Sequence, residues 1–207
     1  MVPLAGISCL RVDTDYTHFF ASSAPVSQAY RKLKDAGMAQ SVVELVVVTD
    51  GQTSMDELAC RRGLWEVESR LRQLPQVRHT LSEAGLMQQI DQGLSGPSSS
   101  NRWLSYPNLI AGQMRSMAKN SGFSELDDYS TPDRSRQRLF ILTDYMSSHE
   151  LLSFRESAEK IAADCLPASL RASLLGTTVL WANMDREIEA TQIRSIFLLA
   201  AVFMILL

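Results

Sequence analysis

Five consecutive residues near the start of the chain, Asp13, Thr14, Asp15, Tyr16 and Thr17, spell D-x-D-x-T. Paired carboxylates are candidates for a nucleophile and an acid–base group, and phosphoryl transfer is the chemistry weighed for them. Thr49 after a run of valines, Lys119, and the pair Asp127 and Asp128 are the further residues weighed with them. Their surroundings argue the other way. The segment before Asp13 is interrupted by Ser8, Cys9 and Arg11, and Asp127 follows SGFSEL, which is no buried strand. The plainer reading makes Asp13 and Asp15 turn residues after a first strand.

The remaining reactive side chains form no constellation. His18, His79 and His149 match no metal-ligand spacing, and His149 reads as a surface residue beside a helix cap. Cys9, Cys60 and Cys165 lie far apart and make no C-x-x-C pair, which argues against a zinc site and a disulfide framework. No Ser-His-Asp set, P-loop or Rossmann glycine pattern occurs. No catalytic, cofactor-binding or metal-binding residue is therefore assigned, no cofactor is expected, and the chain is expected not to be an enzyme. One alternative is that D-x-D-x-T, which resembles the nucleophile motif of the haloacid dehalogenase phosphatases, serves as one: the resemblance implies that one of Asp13 and Asp15 attacks phosphorus and the other acts as acid and base. That family uses a doubly wound parallel sheet, which needs more strand–helix repeats than this sequence offers. The other alternative is a membrane-anchored binding or assembly module.

The elements that would position any site repeat within the chain. Residues 42–50, VVELVVVTD, are β-branched and read as a buried strand. Asp50 and Gly51 signal a turn. Ser54 and Glu57 have the S-x-x-E spacing of a capping box. Leu64, Val67, Leu71 and Leu74 then recur at helical spacing until Pro75, and residues 77–81 form a short strand. A second unit opens at residues 138–145, RLFILTDY, and again the strand ends in Thr-Asp. A second S-x-x-E follows at Ser147 and Glu150, then a stripe of Leu151, Phe154, Ala158, Ile161 and Cys165. Pro167 ends that helix, residues 170–175 form a closing strand, and Gly176 breaks it. Two β-α-β units predict a ferredoxin-like α+β domain with the first and third strands adjacent and antiparallel.

Residues 82–137 separate the units and read as an insertion. It holds helices over 82–94 and 108–120, the latter with Leu109, Ile110, Met114 and Met117, joined by the flexible SGPSSSN at 95–101. A polar connection covers 125–136. Residues 179–192 contain no breaker and run into IRSIFLLAAVFMILL, which is wholly apolar from Ile196 onward. That apolar run covers about 20 Å as a helix, whereas about 20 apolar residues cross a bilayer. It is read as a membrane segment that begins and is cut off, with Arg194 snorkelling at the interface. The alternative is a buried C-terminal helix. At the other end, MVPLAGISCL is apolar but lacks the basic region of a secretory signal.

The composition of this 207-residue chain, 45% hydrophobic and 21% charged, is that of a folded protein. Its net charge of -3 gives no electrostatic case for nucleic acid as a partner.

LRVDTDYTHFFASSAPVSQAYRKL, at residues 10–33, resembles the opening of the first extracytoplasmic loop of resistance-nodulation-division (RND) superfamily exporters, in the branch of MMPL-type and hopanoid-transporter-like permeases. That loop begins after the first membrane helix with a similar L-x-V-x-T-D, F-F and P-V succession. VVELVVV and the turn LPQV at residues 74–77 also match, with Gln76 replacing a family glycine. RSRQRLFILTDYMSSHELLSF is similar to the family's second strand–helix unit, and EIEATQIRSIFLLAAVFMILL to the entry into its second membrane helix.

The resemblance implies an extracytoplasmic porter-like domain at residues 10–178 with a helical insertion at about 82–137. Residues 1–9 would be a possible end of an upstream membrane helix, and residues 179–207 a long helix entering the membrane and truncated there. It further implies transport: such exporters drive lipids or other hydrophobic molecules outward with the proton gradient, through proton-relay carboxylates in later membrane helices that this chain does not contain. The expected partners are the remaining membrane helices and second extracytoplasmic loop of a permease, the membrane, a hydrophobic or lipid substrate, and a possible second copy in a homo-oligomer. The expected location is the cytoplasmic membrane, with the domain on its periplasmic or extracytoplasmic side.

Overall fold

The computed structural model describes residues 20–96, 102–122 and 126–206. Asp13, Asp15, His18, Cys9, the N-terminal apolar stretch and most of the SGPSSSN linker lie outside the described residues.

Four strands, β1 (Ser41–Thr49), β2 (Val77–Leu81), β3 (Arg136–Thr143) and β4 (Leu170–Leu175), form one sheet in the order β2-β3-β1-β4. Every neighbouring pair is antiparallel. The crossover helices are α2 (Leu58–Leu71) between β1 and β2 and α6 (Ser148–Cys165) between β3 and β4. This order and connectivity are the ferredoxin-like split β-α-β arrangement. β1 and β3 are central neighbours, with Ser41 opposite Thr143 and Leu45 opposite Leu139.

Alternation along the strands builds the core. Val43, Leu45 and Val47 of β1 face the helices and are buried, as are Leu139 and Ile141 of β3 and Leu174 of β4. They meet Val67 and Leu71 from α2 and Leu151, Phe154, Ala158 and Ala162 from α6. The predicted helical stripes are the buried ones, with Leu64, Ile161 and Cys165 at the margin, except that α2 stops at Leu71 and leaves Leu74 in the turn beyond it, partly buried. The two crossover helices approach closely at Gly63, where an added Cβ would sit 2.9 Å from the Cys165 carbonyl oxygen.

The turns follow local chemistry. After β1, the Asp50 carboxylate accepts from the amides of Gln52 and Thr53, and Gly51 takes a positive φ of 85°. Ser147 and Glu150 form the predicted capping box at the start of α6. Ser54 and Glu57 do not cap α2 in that way. Glu57 itself is the N-cap and makes no side-chain cap bond, while Ser54 and Glu57 close a separate turn upstream. The backbone between them turns before it becomes helical, so the S-x-x-E spacing is met three residues too early.

The insertion contains α3 (Glu83–Ser95), a 3-10 turn (Arg102–Ser105), α4 (Asn108–Asn120) and the short α5 (Leu126–Tyr129). Ser82 caps α3 by accepting from the Gly85 amide. In α4 it is Ala111 and Ala118 that are buried, whereas Leu109, Ile110 and Met117 are exposed. Arg136 belongs to β3 and not to the connection before it. The helix α1 (Pro25–Asp35) precedes the sheet.

α7 (Thr177–Leu206) is one continuous helix of 30 residues that starts two residues after β4. Its first turns are part of the domain: Val179 and Ala182 are buried against the main core, and Asp185 accepts a hydrogen bond from Ser148 at the start of α6. Beyond them it is long and apolar enough to cross a membrane, and none of its most apolar 18-residue window is buried. Phe197, Leu199 and Phe203 are 55%, 59% and 58% exposed, so the alternative of a buried C-terminal helix is not what the structure shows.

Candidate functional site

Two assemblies of polar side chains stand out, one beneath the insertion and one at an end of the sheet. The first joins four charged groups. Asp56, from the turn before α2, accepts from Arg115 at 2.7 Å and from Arg134 at 3.1 Å. Glu83, at the start of α3, accepts from Arg115 at 2.6 Å and from Arg134 at 2.7 Å. Burial pushes the Asp56 carboxyl up, but bonding to Arg115 and the charge of Arg134 outweigh it and hold the group below its ordinary range. Arg134 adopts a left-handed φ of 58°, unusual for a side chain of this size, and its four-way bonding fixes it there.

Arg61 extends this assembly from α2. It donates to the carbonyls of Trp103 (3.1 Å) and Tyr106 (2.6 Å) and to Asn108 Oδ1 (3.2 Å). Asp91 of α3 accepts from the Trp103 amide and the Tyr106 hydroxyl. Trp65 and Trp103 stack edge to face with centroids 6.2 Å apart. Nearby, the buried Glu68 accepts from Thr80, Ser82 and Arg72. Asp56 and Glu83 are paired with Arg115 and Arg134, Arg61 is held by uncharged oxygens, and the arrangement fastens the insertion to α2.

The second assembly lies at the end of the sheet where β1 begins and β3 and β4 finish. Gln40 bridges three segments there: its amide donates to the Thr143 carbonyl, its side-chain oxygen accepts from the Tyr145 amide, and its side-chain nitrogen donates to the Tyr30 carbonyl of α1. An open groove of about 820 Å³ runs between α1 and this end of the sheet. Phe20, Tyr30, Pro75, Tyr145 and Met146 supply apolar wall, and Arg31 and Lys34 supply positive charge. Asp144, also in the wall, is held by Arg78 through two hydrogen bonds of 2.7 and 2.6 Å. Those bonds keep its carboxyl below the ordinary range.

Of the residues considered for phosphoryl transfer, Asp13 and Asp15 lie outside the described residues, while Lys119 and Asp127 are brought together and Thr49 is on β1. Lys119 pairs with Asp127 at 2.7 Å, and Asp128 lies by Arg138. The Thr49 hydroxyl accepts from the amide of Gly51, two residues on. The sheet is antiparallel, not the parallel sheet of that alternative. His79 is on β2 and His149 on α6, and no cluster of three or more metal-binding side chains occurs among the described residues. Cys60 and Cys165 are free thiols whose ionisation burial disfavours.

The groove and the ionic clamp went unread in the sequence. α1 carried a signal: Pro25 at the first helical position, lysines in the last turn and a Schellman close at Gly37. Fold and site together define a ferredoxin-like α+β domain that carries a candidate membrane-crossing helix. No protein-family model matches the chain, and no curated protein is significantly similar to it.

Proposed function

We propose that the chain is the extracytoplasmic substrate-path domain of a proton-driven exporter of lipids or other hydrophobic molecules, related to the MMPL and hopanoid-transporter-like branch of the RND superfamily. The observation that carries this reading is the junction of β4 and α7. A ferredoxin-like domain passes through Gly176 into a continuous helix whose apolar part is bare. A binding domain rooted directly in a bilayer is suited to receive or hand on molecules that dissolve in it. The ordered sequence resemblance supplies the transport class. The domain would lie on the periplasmic or extracytoplasmic side of the cytoplasmic membrane, beside the remaining membrane helices and second loop of a permease. Outward movement and proton coupling would belong to those helices.

A cell-based experiment tests both halves. A cysteine placed at the exposed Gln113 should react with an impermeant maleimide from outside the cytoplasmic membrane. Loss of the gene should slow uncoupler-sensitive release of an apolar dye such as Nile red. Labelling only after permeabilisation, with dye release unchanged, sinks the reading.

A further inference from the structure

The groove beneath α1 has the dimensions and the chemistry of a ligand site. At about 820 Å³ it lies within the range of small-molecule pockets, roughly 300–1,000 Å³. Two cations, Arg31 and Lys34, line it with two carboxylates, Asp144 and Glu150. Asp144 is ion-paired with Arg78, and Glu150 accepts from the amide and hydroxyl of Ser147 in the capping box of α6. The cations of α1 have no such ion pair among the described residues. Arg31 donates to the Ser22 carbonyl, an uncharged partner, and Lys34 makes no close ion pair among the described residues, although its charge acts on Asp144 across the groove. Among the described residues the groove therefore pairs an apolar wall with a cationic rim on α1 that makes no close ion pair.

Its position adds to this. Gln40, Gln76 and Asp144 lie just beyond the ends of β1, β2 and β3 that meet at Thr143. β4 finishes at the same end of the sheet, where Leu175 pairs with Glu44, and α7 starts there. Ser148, which holds Asp185 of α7, lies four residues beyond Asp144 of the groove wall. The groove is thus on the side of the domain from which the apolar helix departs. Among the described residues α1 buries none of its own and is bonded to Gln40 through the Tyr30 carbonyl.

We infer that this groove binds a single-chain-sized amphiphile with an anionic head, the head on Arg31 and Lys34 and the apolar part against Phe20, Pro75, Tyr145 and Met146. The inference deepens the exporter reading by naming a ligand class, but it rests on the groove alone and its test does not require transport.

The full chain, held in phosphatidylcholine nanodiscs, is dialysed against octyl phosphate, with empty nanodiscs as the blank. About one equivalent per chain should be retained above the blank, and octyltrimethylammonium should not be. The double variant Arg31→Glu/Lys34→Glu, on an exposed helix outside the core, should lower retention at least tenfold. Ser27→Trp, which fills the groove from α1, should do the same without altering charge. Including phosphatidylglycerol in the disc distinguishes the source of the ligand: displacement of octyl phosphate assigns it to the bilayer, and lack of displacement assigns it to a water-borne amphiphile. Equal retention of the cationic probe, or full retention by the double variant, overturns the inference. Either result leaves the topology and dye-release tests standing, so the two readings fail separately.

Discussion

The two crossover helices occupy equivalent places in the sheet and are attached to the rest of the molecule in opposite ways. α6 buries Leu151, Phe154, Ala158 and Ala162, and its outer neighbour α7 meets it through Val179 and Ala182. α2 buries Val67 and Leu71 too, but also Arg61 and Glu68. Those charges hold the 3-10 turn, α4 and the start of α3. A mainly apolar contact, with the Ser148–Asp185 bond at its edge, seats the long apolar helix, and a charged one, beside the Trp65–Trp103 contact, seats the insertion. Apolar packing is indifferent to pH and salt. A charged clamp is directional and costs desolvation on both sides, so it registers the insertion on α2 while adding little net stability.

The largest effect expected concerns α7, where apolar attachment is carried to an extreme. Leu198, Met204 and Ile205 are 69%, 76% and 83% exposed. Removing such side chains from water is worth about 1.5–3 kcal/mol each. The full chain should therefore require detergent or lipid, whereas a version ending at Gln192 keeps Val179, Ala182 and Asp185 and should run as a folded, soluble species. Size-exclusion chromatography with circular dichroism makes the measurement. A soluble monomeric full chain would remove the membrane role of α7.

Within the core the next largest loss is expected from Leu45→Ala. Leu45 is fully buried on the central strand, and leucine-to-alanine truncations at such sites cost about 2–5 kcal/mol. Denaturant unfolding should show the whole sheet affected, because β1 pairs with both β3 and β4.

The clamp should fail locally instead. Glu83→Gln removes the charge that Arg115 and Arg134 share, and a hydrogen bond to a charged group is worth about 1.5–3 kcal/mol. Hydrogen exchange should quicken in α3 and α4 while β1 and β3 keep their protection. Acid should mimic the change through Asp56, whose folded-state pKa is depressed. Its contribution is present above the unfolded value of about 3.9. It is lost as pH falls through the lower folded value. Exchange in α4 should therefore rise below about pH 4 at low salt. If α4 and β1 open together in either experiment, the two attachments are not distinct.

Why the apolar half of this comparison was legible and the polar half was not is a matter of period and distance. Strands announce themselves by β-branched runs such as VVELVVV, and α6 by a stripe that ends at Pro167. The antiparallel neighbours β1 and β3 followed from the repeat. Asp56, Glu83, Arg115 and Arg134 span 79 residues of sequence and have no shared period, so nothing local marks them as a cluster. In α4 the larger apolar residues do not mark the buried face, since the helix turns Ala111 and Ala118 inward and leaves Leu109, Ile110 and Met117 exposed. α1 had readable start and stop signals, but the groove depends on α1 lying against the distant Asp144 and Tyr145.

The smallest effect expected sets the two halves against each other most directly. Both carry S-x-x-E ahead of a helix, and local spacing alone makes Ser54 and Ser147 equivalent. In the second half the Ser147 hydroxyl accepts from the Glu150 amide and the Glu150 carboxylate accepts from the Ser147 amide, so two helix-end donors are satisfied. These bonds also hold the Glu150 carboxyl below its ordinary range. In the first half Ser54 precedes the N-cap Glu57 by three residues, and its hydroxyl accepts only from the Asp56 amide at 3.2 Å. Ser147→Ala should cost about 1 kcal/mol, as loss of a capping serine does. Ser54→Ala should stay within the roughly 0.5 kcal/mol of an ordinary surface change. Denaturation midpoints for the two variants decide the matter. Equal losses would mean that Ser54 caps α2 in solution and that the two halves begin their helices alike.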